Sequence, residues 1–451
     1  MIFPYHSGEI TLIRRQEWLS ESSHSRLTLV YGERRAGKTA AVAEALKDIK
    51  YIYIAAGGKN PALSLEEAKR HCRRQLGIEI TDNVKSLADL FSLLIGESWT
   101  KNVVLVLDEF QEYWKSDPDF CRYIAKRWKA EKAKTNMNLI LISSNREKTD
   151  EIFFKPGGPF INQVDEAVHI GPLSASALKG VLSAANPSYK PLDLLALYCV
   201  SGGRPAAVKH FIEGDDLSAE GMIARFSRNN DESALATESF LYRLLGKNSD
   251  TYLSILLLVA AGFKTQAEME QKLGGMIIGG HLAKLENEYE LLRKQRPSGG
   301  EASSRGVVRY SVADPSVKMW LNYFFADRAR RMMPQESDVR FPDDFREELR
   351  DLFLSRISES GDFTEPSSWW YPVGRLSRKP AASSSKSVSE GTRDIDIIAG
   401  IKGSRKVLVA AVETSAGNFQ KEPFLAAVEQ LKNSSLKGKS SDIRLFTPDD
   451  L

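Results

Sequence analysis

The sequence predicts an α/β protein whose first part is a parallel sheet carrying a P-loop, followed by a long helical region and a smaller α+β tail. Short β-branched runs alternate with longer helical patterns over the first part of the chain, which is typical of a sheet flanked by helices. A glycine-rich phosphate-binding motif occupies residues 32–39, directly after the first apolar run. The runs at residues 103–107 and 139–142 are almost continuously apolar, as expected of strands buried on both faces.

The predicted elements follow one another in a regular order. We place the strands of the first sheet at residues 27–31, 51–54, 103–107, 139–142 and 167–170. Helical patterns begin after Pro172, and short strands return at residues 309–312, 369–371, 395–398, 407–412 and 443–446. A Ser/Lys-rich loop is predicted at residues 381–390. Because the chain has 451 residues, we expect two or three domains.

Composition places few limits on the partners of the chain. The 62 basic and 59 acidic residues give a net charge of +3, which neither requires nor excludes a nucleic-acid partner. Three widely spaced cysteines, Cys72, Cys121 and Cys199, are expected to be buried thiols in a reducing compartment. The most apolar run, residues 252–263, is shorter than the roughly 20 residues that span a bilayer. The first residues lack the pattern of a signal peptide, so we expect a cytoplasmic protein without membrane contact.

The letters GERRAGKT at residues 32–39 match the phosphate-binding loop G-x-x-x-x-G-K-[ST]. The glycines let successive backbone N–H groups face an anion, and the N-terminus of the next helix adds partial positive charge. Lys38 is predicted to contact the β- and γ-phosphates of ATP, and Thr39 to ligate Mg²⁺. The two loop arginines are expected to face solvent. The predicted nucleotide-binding residues of the loop are Gly32, Glu33, Arg34, Arg35, Ala36, Gly37, Lys38, Thr39 and Ala40.

An acidic pair follows the apolar strand at residues 103–107. Carboxylates at the carboxyl edge of a parallel sheet lie where such sheets bind ligands. Asp108 is therefore predicted to belong to the Mg²⁺ shell, and Glu109 to act as general base on the attacking water. The alternative is that the pair only caps a helix.

Three further residues are candidates for contact with the nucleotide. Ser144 and Asn145 follow the next buried strand and are predicted to reach the γ-phosphate or the water, with loop capping as the alternative. Arg204 follows two glycines in the helical region and is predicted to reach the nucleotide, with a surface arginine as the alternative.

Four segments together resemble a known family: residues 32–39, LDEFQ at 107–111, GGRP at 202–205 and ADPSV at 313–317. They are similar to archaeal and bacterial predicted ATPases of the AAA-like P-loop class. This resemblance covers most of the chain. It implies a five-stranded sheet of the additional-strand type, a helical lid, a winged helix and a C-terminal domain related to PD-(D/E)xK nucleases. The corresponding domains are a P-loop core at 1–172, a lid at 173–247, a winged helix at 248–335 and a nuclease-like domain at 336–451.

Residues 250–312 have the order of elements expected of a winged helix. The predicted third helix spans residues 277–292, with Leu282, Leu285, Tyr289 and Leu292 facing the core. Double-stranded DNA is a candidate partner of the cations on this helix and wing, which are His281, Lys284, Arg293, Lys294, Arg296, Arg305 and Arg309. Glu286, Glu288 and Glu290 oppose DNA approach, and an intramolecular spacer is the alternative interpretation.

The tail has the helix–strand–loop–strand–strand–helix–strand order of a PD-(D/E)xK core. Such a nuclease holds a divalent metal between carboxylates and orients water with a lysine. The candidate carboxylates are Asp396 on one strand and Glu413 at the end of the next, with Glu348 on the first helix assisting. Ser415 stands where the lysine is expected, and Lys421 is a possible substitute. An active nuclease and a binding or structural domain both remain open.

The leading hypothesis is a Mg²⁺-dependent ATP-binding and ATP-hydrolysing protein that works as a conformational switch, on double-stranded DNA or on an unidentified protein partner. One alternative is an ATP-regulated DNA-processing enzyme with an active C-terminal nuclease. Another is a scaffold that binds ATP without hydrolysing it.

Overall fold

The computed structural model divides into two compact units, residues 1–172 and 173–451. It describes residues 6–22, 24–57, 60–228, 230–246, 249–297, 308–325, 341–370, 394–434, 436 and 439–451. The predicted loop at 381–390 and the predicted wing residue Arg305 lie outside these ranges. The finer division of residues 173–451 into three domains stays a prediction.

The first unit is built on a parallel sheet. Its strands are β1 (Arg26–Tyr31), β2 (Ile52–Ala55), β3 (Val103–Asp108), β4 (Met137–Ser143) and β5 (Glu166–His169). Within the described residues these five strands form one sheet in the order β2-β3-β4-β1-β5. Because β4 lies between β3 and β1, the sheet is of the additional-strand type, and the strand order confirms that prediction.

Alternation along the central strands explains their continuous apolar runs. On β3, Leu105 and Leu107 belong to one buried cluster, whereas Val104 and Val106 belong to the cluster on the opposite face. Both faces are covered by helices, so every position of the strand is buried. Each fully buried Val or Leu contributes about 1.5–3 kcal/mol, which makes β3 a rigid base for the residues that follow it.

Helices of the first unit begin and end at recognisable signals. Asp117 accepts a hydrogen bond from the N–H of Phe120 and is followed by Pro118 at the first helical position. Gly77 ends another helix with φ of 62°. The helices are α1 (Ser7–Ser22), α2 (Lys38–Ala45), α3 (Pro61–Leu76), α4 (Leu87–Glu97), α5 (Phe110–Ser116), α6 (Pro118–Glu131) and α7 (Arg146–Thr149).

The second unit begins with helices and continues into a short hairpin. The helices are α8 (Ala175–Ala185), α9 (Pro191–Ser201), α10 (Pro205–Ile212), α11 (Ala219–Phe226), α12 (Glu232–Leu245), α13 (Ser249–Ala260), α14 (Gln266–Lys272) and α15 (Gly279–Asn287). The hairpin pairs β6 (Leu292–Gln295) with β7 (Arg309–Val312) in antiparallel orientation, and α16 (Pro315–Met319) follows it.

The predicted helix at residues 277–292 is too long. Helix α15 ends at Asn287, and Leu292 is the first residue of β6. Glu290 has a positive φ of 55°, a conformation that reverses the chain and cannot continue a helix. Leu282 and Leu285 are buried as expected. The apolar spacing gave a helix that is too long because Leu292 is buried as part of strand β6 and not as part of a further helical turn.

The end of the chain forms a second sheet. Its elements are α17 (Arg346–Ser360), β8 (Ser367–Trp369), β9 (Ile395–Gly400), β10 (Lys406–Val412), α18 (Lys421–Ser434) and β11 (Ser440–Phe446). In the part of the chain that is described, the strands lie in the order β11-β10-β9-β8, with β10 and β11 parallel. This is the predicted succession of elements, while the relation to nucleases stays a prediction.

Cys72, Cys121 and Cys199 are buried free thiols, as predicted. None of the helices in the described ranges has the length and apolarity needed to cross a membrane.

A buried ion pair joins α16 to α17. Lys318 and Glu348 are 6% and 5% exposed, and Lys318 Nζ donates to Glu348 Oε2 at 2.8 Å. Lys318 Nζ also lies 5.3 Å from the centroid of the Phe345 ring. Glu348 was a candidate for metal chemistry in the tail, and the structure places its carboxylate in this pair.

Replacing Lys318 by Met is expected to destabilise the protein by about 3–5 kcal/mol, because the Glu348 carboxylate is left buried without its cation. Urea unfolding measures the loss. The double variant Lys318→Met/Glu348→Leu should regain most of it, since an apolar pair needs no charge compensation. A loss below about 1 kcal/mol in the single variant would mean that the pair behaves as a solvated surface pair.

Candidate nucleotide-binding site

The loop between β1 and α2 turns sharply because of its glycines. Gly32 has φ of 140°, and a Cβ atom there would lie 2.0 Å from the carbonyl oxygen of Ile170. Gly37 has φ of 94° and precedes the first residue of α2. Arg35 also has a positive φ, of 65°. The loop therefore follows the path of a phosphate-binding nest, closely packed on the chain that leaves β5.

Lys38 is held over this loop. Its side chain is buried, and Nζ donates to the carbonyl oxygens of Gly32 at 3.0 Å and Glu33 at 2.6 Å. The ammonium group thus lies over the loop that leads directly into the N-terminus of α2. The arrangement concentrates positive charge at one point, which suits an anion.

Asp108 connects the acidic pair to the phosphate loop. The hydroxyl of Thr39 donates to Asp108 Oδ2 at 2.7 Å, and the hydroxyl of Tyr53 donates to the same oxygen at 2.7 Å. The backbone N–H of Glu109 donates to Oδ1 at 2.7 Å. Burial raises the pKa of the Tyr53 phenol, and its hydrogen bond to Asp108 raises it further. The phenol therefore stays protonated and acts as a donor to this carboxylate.

Glu109 lies at the carboxyl edge of the sheet with a positive φ of 53°. Its Oε1 accepts a hydrogen bond from Ser144 Oγ at 3.1 Å, and its Oε2 accepts one from Gln111 Nε2. Gln111 in turn accepts the backbone N–H of Ser144 at 3.1 Å and the hydroxyl of Ser143 at 3.1 Å. The ends of β3 and β4 are therefore joined by one polar network around the Glu109 carboxylate.

The remaining candidates in the first unit take less central positions. Asn145 caps α7, since its Oδ1 accepts the N–H of Lys148 at 2.9 Å, which is the capping role weighed as its alternative. Arg34 and Arg35 are half-buried, where the sequence suggested solvent. Arg34 Nη2 lies 3.8 Å from Glu112 Oε1. Ala36 is buried and Ala40 is exposed on α2.

Arg204 belongs to a buried pair within the second unit. It is 7% exposed, and its Nε and Nη2 each lie 3.1 Å from Asp314 Oδ2. Asp314 Oδ1 accepts the hydroxyl of Ser316 at 2.7 Å, and a Cβ atom at Gly202 would lie 2.1 Å from that oxygen. The surface interpretation of Arg204 is therefore wrong, and the pair accounts for its guanidinium without a nucleotide.

Several predicted DNA-facing cations of the second unit have acidic partners. Arg293 Nη1 lies 2.9 Å from Asp351, and Lys294 Nζ lies 3.8 Å from Glu286. Arg309 pairs with Asp394. These carboxylates reduce the positive charge that the hairpin presents.

Sequence reasoning missed Tyr53 and the role of Gln111. Tyr53 lies on β2, which pairs with β3 in parallel register, so that Tyr53 is opposite Val106. Gln111 belongs to the LDEFQ segment at residues 107–111, but its hydrogen bond with Ser144 forms only because β3 and β4 are neighbours in the sheet. A polar residue near the end of β2 was the available signal for Tyr53.

No protein-family model matches the chain. An uncharacterized protein of Methanocaldococcus jannaschii is 21% identical over 308 residues, which are 68% of this chain and 65% of that protein. The matched region thus spans less than two thirds of that relative.

Solved structures give a clearer match in fold. The Walker-type ATPase of Pyrococcus abyssi superposes with a TM-score of 0.50 and 17% identity, over 71% of this chain and 96% of that one. The ORC2 protein of Aeropyrum pernix, solved with ADPNP and ADP, has a TM-score of 0.43 and 16% identity over 72% of this chain and 95% of that one. With its sheet order and its loop, the protein has the fold of an AAA-like P-loop ATPase.

Replacing Gly32 by Ala is expected to destabilise the protein by about 2 kcal/mol, because the new methyl group meets the Ile170 carbonyl. Urea unfolding measures the change. Gly77→Ala is the matched control. Gly77 also has a positive φ, of 62°, but a Cβ atom there would have no other atom within 4 Å. Equal losses in the two variants would show that backbone strain alone, and not the close approach, constrains Gly32.

Proposed function

We propose that this chain is a Mg²⁺-dependent ATPase whose nucleotide state acts as a conformational switch. The observation that carries the proposal is the 2.7 Å contact between Thr39 and Asp108. It brings the end of the phosphate loop to the carboxylate at the end of β3. The fold and the loop motif support the same function.

ATP is the substrate that this loop suits. Backbone N–H groups at the start of α2 and the Lys38 ammonium group form one cationic surface, which matches a triphosphate. Phosphate oxygens can take over the hydrogen bonds that Lys38 donates to the carbonyls of Gly32 and Glu33. Binding then replaces weak neutral acceptors by charged ones, which strengthens each hydrogen bond.

The residues beside the loop fit a magnesium ion. Mg²⁺ prefers oxygen ligands and binds through one or two protein groups together with substrate phosphates. The Thr39 hydroxyl and the Asp108 carboxylate supply such oxygens side by side, and Tyr53 keeps Asp108 in orientation. When bound, the ion neutralises charge on the phosphates during transfer.

Glu109 is the proposed general base. A carboxylate that receives a proton from water must be held towards the reaction and kept ionised. Ser144 and Gln111 both donate to Glu109 and hold its carboxylate in one orientation. Ser144 therefore positions the base from the end of β4. Asn145 Oδ1 caps α7, and its contact with the γ-phosphate stays a prediction.

Replacing Glu109 by Gln should leave ATP binding intact and lower turnover by about 10²–10⁴-fold, because the amide cannot accept the proton. Phosphate release measures turnover, and a fluorescent ATP analogue measures binding. Glu66→Gln, at an exposed position of α3, is the matched control and should retain wild-type rates. Wild-type turnover in Glu109→Gln would remove Glu109 from the role of base.

The switch is proposed to act on a protein partner in preference to DNA. Three of the cations predicted to face DNA form ion pairs with acidic residues of this chain, namely Arg293, Lys294 and Arg309. A DNA-handling enzyme stays the second candidate, because Lys284 is exposed on the helix predicted to approach the duplex.

ATP turnover with and without double-stranded DNA separates these two candidates. We expect Lys38→Ala to abolish turnover, and the wild type to hydrolyse ATP at a rate that DNA leaves unchanged. Lys47→Ala is the matched control, since Lys47 is an exposed lysine just after α2 that pairs with Glu44. Stimulation of the wild type by DNA, lost at high salt, would support the DNA-handling candidate.

A further inference from the structure

The carboxylates proposed for metal binding in the tail enclose an arginine. Arg346 is the first residue of α17, and its Nη2 donates to Asp396 Oδ2 at 2.6 Å. Its Nε donates to the carbonyl oxygen of Val412 at 2.8 Å and lies 3.5 Å from Glu413 Oε1. One guanidinium group therefore contacts both candidate carboxylates and the strand between them.

Both carboxylates are buried, with exposures of 4% for Asp396 and 5% for Glu413. Asp396 Oδ2 also accepts the backbone N–H of Val412 at 2.9 Å. Two buried carboxylates that contact the same group need a cation there, because burial deprives them of most of their solvent. The guanidinium group meets this need in a planar geometry that suits carboxylates.

The surroundings of Asp396 also disfavour a divalent ion. Arg346 and Asp396 line a cavity whose other cations, Lys264, Arg309 and Arg350, are each paired with a carboxylate, so this cavity holds no uncompensated cluster of acidic groups. Among the described residues, no group of three His, Cys, Asp or Glu side chains is placed to hold a metal. The third candidate, Glu348, is engaged by Lys318.

The residue at the expected lysine position also argues against a metal-dependent nuclease. Ser415 follows β10 two residues after Glu413, where a nuclease of the proposed type carries the lysine that orients water. The residues present therefore do not fit a metal-dependent nuclease site.

We propose that Arg346 takes the place of the divalent metal in the tail. The Asp396 and Glu413 carboxylates then fasten the start of α17 to the sheet, and they do not assist the cleavage of a phosphodiester. The tail is then a structural domain in which the Arg346 side chain supplies the internal cation, so that its stability does not depend on a bound metal.

Binding of Mn²⁺ to the full-length, nucleotide-free protein tests this proposal. Isothermal titration or the electron paramagnetic resonance of free Mn²⁺ reports the binding. We expect the wild type and Asp396→Asn to give the same titration. Arg346→Met should bind at least about tenfold more Mn²⁺ at low concentration, because the carboxylates then lack a cation. That gain should vanish in Arg346→Met/Asp396→Asn.

Stability gives a second readout. Arg346→Met should unfold about 10 °C below the wild type, and Mn²⁺ should restore part of this loss. Arg356→Met is the matched control on the same helix, because Arg356 donates to backbone carbonyls at the end of the chain. Arg346→Lys keeps a cation and should gain no Mn²⁺ binding.

Two results would overturn the proposal. One is Mn²⁺ binding by the wild type that Asp396→Asn abolishes, which would make the carboxylates metal ligands with Arg346 in place. The other is a folded Arg346→Met protein with no gain in Mn²⁺ binding. If Arg346→Met does not fold, the Mn²⁺ titrations of the wild type and of Asp396→Asn still test the proposal, because neither protein is changed at Arg346.

Discussion

The candidate nucleotide site depends on one carboxylate, that of Asp108. Thr39 from the phosphate loop, Tyr53 from β2 and the backbone of Glu109 all donate to it. A buried carboxylate is stable only when such donors surround it, so Asp108 holds three segments of the first unit at defined distances. The phosphate loop, the proposed magnesium ligand Thr39 and the proposed base Glu109 are thus positioned by one carboxylate at the end of a strand that is buried along its whole length.

The second unit uses charge in a different way. Arg204 with Asp314 and Lys318 with Glu348 are ion pairs buried on both sides, and Arg346 is half-buried against the buried Asp396. Removal of one partner from such a pair leaves an uncompensated charge, whereas the intact pair specifies which segments meet. Arg204, Glu348 and Asp396, which the sequence offered as site residues, form ion pairs in the second unit that join α10, α16 and α17 to neighbouring segments.

The elements of the first unit were predictable because their signals are local. The runs on β3 and β4 are apolar on both faces, and the phosphate loop is a short contiguous motif. The end of α15 was not predictable from apolar spacing, since Leu292 keeps the helical period while Glu290 reverses the chain. Burial alone does not distinguish a further helical turn from a strand that returns to the same core.

The sequence by itself determined the sheet, the phosphate loop and the identity of Lys38, Thr39, Asp108 and Glu109, because each lies in a short motif next to a strongly patterned strand. Only the tertiary structure decided which distant side chains meet. Tyr53 reaches Asp108 from 55 positions away, and Arg346 reaches Asp396 from 50. Such contacts depend on strand order and on how helices lie over a sheet. The long-range packing of the whole chain sets both, and no local pattern encodes them.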